Sequence, residues 1–469
     1  MNVAPAGPGV PSWAELVREG GRLVAQGQLA QALPLYRRLH DEAAARDRGT
    51  LLHYGLCLEA AGRLDEAVER YREAVVREPG FFEAHVNLAG VLWRVGEFDR
   101  ALAHARAAVG LAPEHPQCVR MLGSTLLQLN RVEEAERELR RALDLSPTLA
   151  SAQFDLAFCL LLAGRLEEGW SWYGKRWNDI TRMPRPPFWR PELAWRGPEQ
   201  PLAGRRLLVY AEQGLGDAIQ FARYLPRLQA LGADVVCAVP APLVPLIESS
   251  FPGIGCLRVE GALQADLHAA LLDLPARLGT ATPDDIPAAP RYLRAPADRS
   301  ARWRDRLAPW RGKFRVGLAW SGMRRQVNNR NRAVALSHLA PLFDLPGVQC
   351  FSLQQADAGR CTDLQPTPEQ LVDLTREWRD FEDSAAMVEQ LDLVVSVDTA
   401  TAHLAGALGT RAFVLLPPNP DFRWLLDRED SPWYPGMRLF RRGFTEPRTA
   451  QVARVVQAVR SSRLADPLP

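Results

Sequence analysis

The chain has 469 residues, of which 47% are apolar and 24% charged, and a formal net charge of only +2. That length accommodates two or three domains with buried cores, and so slight a positive balance argues against a nucleic-acid binder that relies on a broad basic surface. Seven scattered cysteines without a CxxC pair and eight dispersed histidines outline neither a disulfide framework nor a metal site.

Residues 1–11 are rich in Ala, Pro and Gly and carry no export signal, so a flexible lead-in is expected there. No apolar run is long enough to cross a bilayer. The expectation is a soluble cytoplasmic protein with no integral membrane segment.

A periodic pattern begins at residue 12. Gly62-Arg63-Leu64-Asp65-Glu66-Ala67 returns as Gly96 to Ala101, as Asn130 to Ala135 and as Gly164 to Gly169, each step being 34 residues. Pro79, Pro113 and Pro147 keep the same interval, as do Ala74, Ala108 and Ala142. Leu56, Leu88, Leu122 and Leu156 supply the apolar face of the first helices, and Ala67, Ala101 and Ala135 allow close packing of the second. A Gly or Asn turn separates the two helices and proline ends the pair. One such pair cannot bury its apolar face alone, so stacking into a solenoid follows. Residues 12–177 resemble tetratricopeptide repeats, which implies a concave surface for a peptide or protein; self-association is the architectural alternative. Trp170, Trp172, Tyr173 and Trp177 read as a cap on the array, or else as an aromatic platform.

Residues 178–204 are dense in Pro and Trp and form a linker. Residues 205–300 open with the strand Arg206–Tyr210, which runs through Glu212-Gln213-Gly214-Leu215-Gly216-Asp217 into a helix expected over 218–231. Gly214 and Gly216 permit close backbone approach to a bulky ligand, though this spacing is neither a dinucleotide fingerprint nor a Walker loop. Asp217 is a carboxylate that could accept a proton from an incoming hydroxyl. Its alternative is an ordinary first-turn acid of the helix. Val235–Val239 and Cys256–Val259 are further strands, and His268 reads as structural, with a substrate-facing role as the alternative.

Residues 301–469 begin with a strand from Phe314, followed by Ser321-Gly322 and a stretch containing Arg324, Arg325, Arg330 and Arg332 without an acid. Arginine holds phosphate through paired N–H groups; a solvated loop or an RNA contact is the other reading. Gln354 follows the strand at 348–353, at the carboxyl end where open α/β sheets place ligands. The apolar strand Leu393–Val397 leads into Asp398-Thr399-Ala400-Thr401-Ala402-His403 at a strand-to-helix turn, where unpaired N–H groups can receive a phosphate. A helix cap with a packed histidine is the alternative. After the strand at 413–416, Pro417 to Trp424 reads as a ligand-side loop.

Residues 205–445 resemble bacterial heptosyltransferase-related glycosyltransferases, and the join to repeats resembles the design of protein O-GlcNAc transferases. The resemblance rests on Gly216-Asp217, on Ser321-Gly322 with the following arginines, and on Asp398-Thr399 with His403, where Ala400 replaces the usual glycine. It implies a repeat solenoid followed by a GT-B-like pair of Rossmann-like α/β domains, with an acceptor-side domain at 205–300 and a nucleotide-sugar domain at 301–469. Asp217 would be the base. Gly214, Gly216, Ser321, Gly322, Arg330, Arg332, Gln354, Asp398, Thr399 and His403 would hold the nucleoside-diphosphate sugar, without a metal or other cofactor. The expected acceptor is a protein or peptide on the repeats; a glycan or lipopolysaccharide acceptor, or a noncatalytic nucleotide-sugar-binding scaffold, are the alternatives.

Overall fold

A computed structural model describes residues 12–41, 47–179, 183–259, 265–323, 326–355 and 363–465. The flexible lead-in expected at 1–11, and Arg324 and Arg325, lie outside these residues. The chain divides into two compact units, Met1–Leu156 and Ala157–Pro469.

The first unit is helical. Paired helices run Trp13–Ala25 with Leu29–Asp41, Arg48–Ala60 with Leu64–Arg77, Phe82–Arg94 with Phe98–Leu111, and Pro116–Gln128 with Val132–Leu145. Ser12 starts the array with a reciprocal cap, accepting from the Glu15 N–H while the Glu15 carboxylate receives the Ser12 N–H at 2.7 Å. The turns within the pairs need a left-handed residue, and Gly62, Gly96 and Asn130 supply it with φ of 74°, 89° and 56°. Ala67, Ala74, Ala101, Ala108, Ala135 and Ala142 are all fully buried, as small residues at a helix–helix seam must be. Leu56 does not share the register of Leu88 and Leu156: the residue 34 before Leu88 is Tyr54, and it is Tyr54 that is buried there.

The second unit starts within the helix Ala150–Leu162, continues through the helix Leu166–Tyr173, and holds two wholly parallel sheets. The first sheet has β1 (Arg206–Tyr210), β2 (Asp234–Val239), β3 (Gly255–Arg258) and β4 (Leu267–Ala270) in the order β3-β2-β1-β4. The second has β5 (Phe314–Ala319), β6 (Val348–Ser352), β7 (Leu371–Asp373), β8 (Leu393–Val397), β9 (Ala412–Leu416) and β10 (Met437–Arg441). Its order, β7-β6-β5-β8-β9-β10, is the 3-2-1-4-5-6 sequence of doubly wound nucleotide-binding sheets. Val316, Leu318, Leu393, Val395 and Val397 form its central core with Val452, Val455 and Val459 of the last helix.

The helix expected over 218–231 is broken into Leu215–Phe221, a 3-10 turn at Ala222–Tyr224 and Leu225–Ala230. Pro226 lacks the N–H that a continuous helix would need at that point. Trp170 packs edge-on against Phe221 and Phe422, with ring centroids 6.0 and 5.7 Å away. Trp177 lies against Tyr210 of β1, so these aromatics belong to the interior of the second unit.

Candidate functional site

In a 3-2-1-4-5-6 sheet the chain crosses to opposite sides after strands 1 and 4, which opens a crevice at their carboxyl ends. Here those strands are β5 and β8. The loop leaving β5 is Trp320-Ser321-Gly322, and the loop leaving β8 is Asp398-Thr399.

Both loops are held from below and from the side. The buried Gln354 carboxamide oxygen accepts from the N–H groups of Trp320 at 3.1 Å and Ser321 at 2.9 Å. The Gly322 N–H donates to Asn329 Oδ1 at 3.2 Å. Arg332 fills the space beside Gly322, where a Cβ would collide with its Nη2. That guanidinium donates through Nη1 to the Asp398 carbonyl at 2.6 Å and lies 4.0 Å from the Asp398 carboxylate. The two loops are therefore tied together by one arginine. Arg330, by contrast, is exposed.

Thr399 sits at the cap position of the helix Ala400–Leu408 but gives it no side-chain bond; its hydroxyl is 3.1 Å from that of Ser396. Burial pushes the Asp398 carboxyl above its ordinary range, with Arg332 opposing. His403 is buried, its Nδ1 2.9 Å from the Tyr434 hydroxyl and its ring stacked on Trp424 at 5.4 Å. Burial, then the charges of Arg423, Arg223 and Arg332, hold the imidazole well below its ordinary value, so it is neutral. Its Nε2 lies 3.9 Å from Asp398 Oδ1, outside hydrogen-bond reach.

The first sheet contributes the facing half. Gly214 caps the helix Leu215–Phe221, and its N–H donates to Asp217 Oδ2 at 2.9 Å. Gly216 packs on the His403 ring and on Ala400. The other oxygen of Asp217 receives Arg423, which also donates to Asp421 at 2.7 Å. Burial raises the Asp217 carboxyl, with the Arg423 charge opposing it. Desolvation works against the charge on Arg423, but Asp217 and Asp421 outweigh it and raise that group.

Gly214, Gly216, Asp217, Asp398, Thr399 and His403 are thus brought to one neighbourhood, with Ser321, Gly322, Gln354 and Arg332 lining its β5 side. Arg423, Asp421, Trp424 and Asn329 join them unforeseen as individuals, and Tyr434, which with Trp433 reads in the sequence only as a closure or packing residue, joins them too. The proline-rich stretch at 417–424 signalled that a ligand-side loop follows β9, but nothing in its composition singled out Arg423. Among the described residues, no group of three or more His, Cys, Asp or Glu is arranged to hold a metal ion. No described helix is long and apolar enough to cross a membrane.

The helix pairs and the two parallel sheets define a tetratricopeptide-repeat protein with a Rossmann-like α/β region. Tetratricopeptide-repeat family profiles match residues 17–80, 58–116, 92–144 and 120–173. The chain belongs to the family of Protein FlbA of Caulobacter vibrioides, with which it is 31% identical over 434 residues, covering 84% of this chain and 70% of that relative. A repeat-containing thioredoxin of Arabidopsis thaliana, TTL4, is 31% identical over 126 residues, 27% of this chain and 17% of its own length. Among solved structures, a thermophilic repeat protein of Thermus thermophilus is 24% identical, covers 37% of this chain and 93% of its own, and has a TM-score of 0.33.

Proposed function

We propose that residues 205–469 act as a glycosyltransferase of GT-B-like organisation, moving a sugar from a nucleoside-diphosphate sugar to an acceptor nucleophile, with a protein or peptide on the repeats as the preferred acceptor. One observation carries this reading. The switch point of the second sheet joins Arg332 to Asp398, the residue before Thr399, and the GxGD turn of the first sheet brings Asp217 to the same neighbourhood.

In the reaction the acceptor O–H proton passes to Asp217 as the acceptor oxygen bonds to the anomeric carbon. The bond from that carbon to the diphosphate oxygen breaks, and its electron pair leaves with the diphosphate. Arg332, Arg330, Thr399 and the first N–H groups of the helix Ala400–Leu408 would stabilise the departing charge. Ser321, Gly322 and Gln354 would shape the donor side. Neutral His403 would orient the phosphate through Nε2. A glycan acceptor keeps the same chemistry.

A noncatalytic nucleotide-sugar-binding scaffold is the second reading, favoured by one feature: both Asp217 oxygens already have partners, in Gly214 and Arg423. Mass-resolved turnover of a nucleotide-sugar panel in native lysate separates the two. Transfer of a sugar-sized mass by the wild type and its loss in Asp217→Asn supports the enzyme. Donor binding without transfer to any acceptor supports the scaffold.

A further inference from the structure

We propose that Arg423 exchanges partners when a donor binds, leaving Asp217 for the diphosphate and so releasing the acceptor-side carboxylate only when a donor is in place. This rests on the glycosyltransferase reading above. Arg423 stands in the turn after β9, at the carboxyl end of the second sheet, and reaches Asp217 in the first turn after β1 of the other sheet. Its side chain is only 7% exposed. The guanidinium lies over Phe422 at 4.4 Å and within 5.7 Å of Phe221, so apolar walls direct its donors toward whatever anions are at hand.

Those anions are two carboxylates of the protein itself, Asp217 and Asp421, while the buried Nε has no hydrogen-bond partner among the described residues. A static bridge would need one acid. Two partly exposed acids, Asp217 at 20% and Asp421 at 26%, share one buried arginine, so the cluster carries one more negative charge than the bridge itself requires. The surplus has a use if one carboxylate is a replaceable occupant. A diphosphate offers several oxygens to the same fork of N–H groups and is a stronger competitor for it than a single carboxylate. Arg332, already tied to the Asp398 carbonyl, would hold the β8 side of the same group.

The exchange is tested by calorimetric titration of the full chain with UDP, GDP and ADP. The wild type is expected to bind at least one of them. Asp217→Asn and Asp421→Asn each remove a competitor for Arg423 and should tighten that binding by roughly fivefold or more. Arg423→Gln should lose it, with Arg423→Lys intermediate. The gain from Asp217→Asn should vanish in the Arg423→Gln background, because it acts through that arginine. If Arg423→Gln does not fold, as judged by circular dichroism, the same comparison is made in the Arg423→Lys background. Binding in the wild type that neither Asp217→Asn nor Asp421→Asn tightens, or a gain that persists without Arg423, overturns the exchange and leaves the glycosyltransferase reading standing. A folded wild type that binds no nucleoside diphosphate overturns both.

Discussion

Gly216 and His403 meet so closely that a Cβ on the glycine would stand 2.8 Å from Cδ2 of the imidazole and 3.5 Å from the Ala400 Cα. The contact brings the turn after β1 against the helix after β8, and it depends on a missing side chain. The ring cannot swing aside, because it is stacked on Trp424 and bonded to Tyr434. Gly216→Ala should therefore destabilise the second unit. Overpacking of this kind costs about 1–3 kcal/mol, offset by up to about 1 kcal/mol of helix propensity. Urea denaturation measures the net change, and an unaltered midpoint would mean that the crowding costs no more than the helix propensity gained.

His403 should make stability depend on pH. Its folded pKa lies well below the unfolded value, which is about 6.5. The unfolded chain therefore binds the proton first as pH falls, and stability present above about pH 6.5 is lost below it, at up to about 1.4 kcal/mol per pH unit. Glu212 acts in the opposite sense. Burial pushes it up to about 7 against the pull of Arg176, so its contribution declines as pH rises toward 7. The discriminating quantity is the difference between the wild type and His403→Gln: the gap in melting temperature should narrow from pH 7.5 to pH 5.5. A constant gap would show that the imidazole does not titrate differently in the folded protein.

Arg176 is fully buried between Glu212 at 2.7 Å and Asp273 at 2.7 Å, with the Tyr173 and Trp177 rings on its flanks. Those acids follow β1 and β4, the switch-point strands of the first sheet. Arg176→Met leaves them without their shared cation and should cost about 3–5 kcal/mol. Asp273 retains Arg277 at 2.8 Å, so Glu212 is the acid left exposed to the full penalty. Adding Glu212→Gln to Arg176→Met should recover part of the loss in a chemical denaturation series. No recovery would assign the loss to the packing of the arginine stem instead.

What the sequence disclosed followed physical regularity. The 34-residue recurrence of Gly62, Gly96 and Asn130 marks the same left-handed turn each time, so it locates the helix pairs. The apolar runs of β1, β5, β8 and β9 are legible because parallel strands are covered on both faces. Less legible were β4, four residues interrupted by His268; β7, only three residues; and β10, whose Arg438 is exposed. Their strand character comes from neighbours already in place. Asp398 and His403 were visible as a strand-to-helix turn, whereas Arg423 was not, since its importance lies in a partner 206 residues away. Such a pairing leaves no local periodicity.

Gln354 illustrates how a residue at a ligand-side position can hold the neighbouring loop in place. It follows β6 at the expected carboxyl edge, yet its side-chain oxygen is spent on the N–H groups of Trp320 and Ser321, which have left β5. Both donors are buried, so removal of the acceptor leaves two unpaired polar groups, each costing about 1–3 kcal/mol. Gln354→Leu keeps much of the volume and deletes the acceptor. It should lower stability by about 2–4 kcal/mol, while Gln354→Glu, which retains an oxygen, should lose less. Amide hydrogen exchange supplies the local reading: protection at Trp320 and Ser321 should fall in Gln354→Leu by more than protection in β9, which has no bond to this side chain. Equal loss in both places would mean that Gln354 supports the sheet as a whole, and that the loop carrying Ser321 and Gly322 draws its order from Asn329 and Arg332 alone.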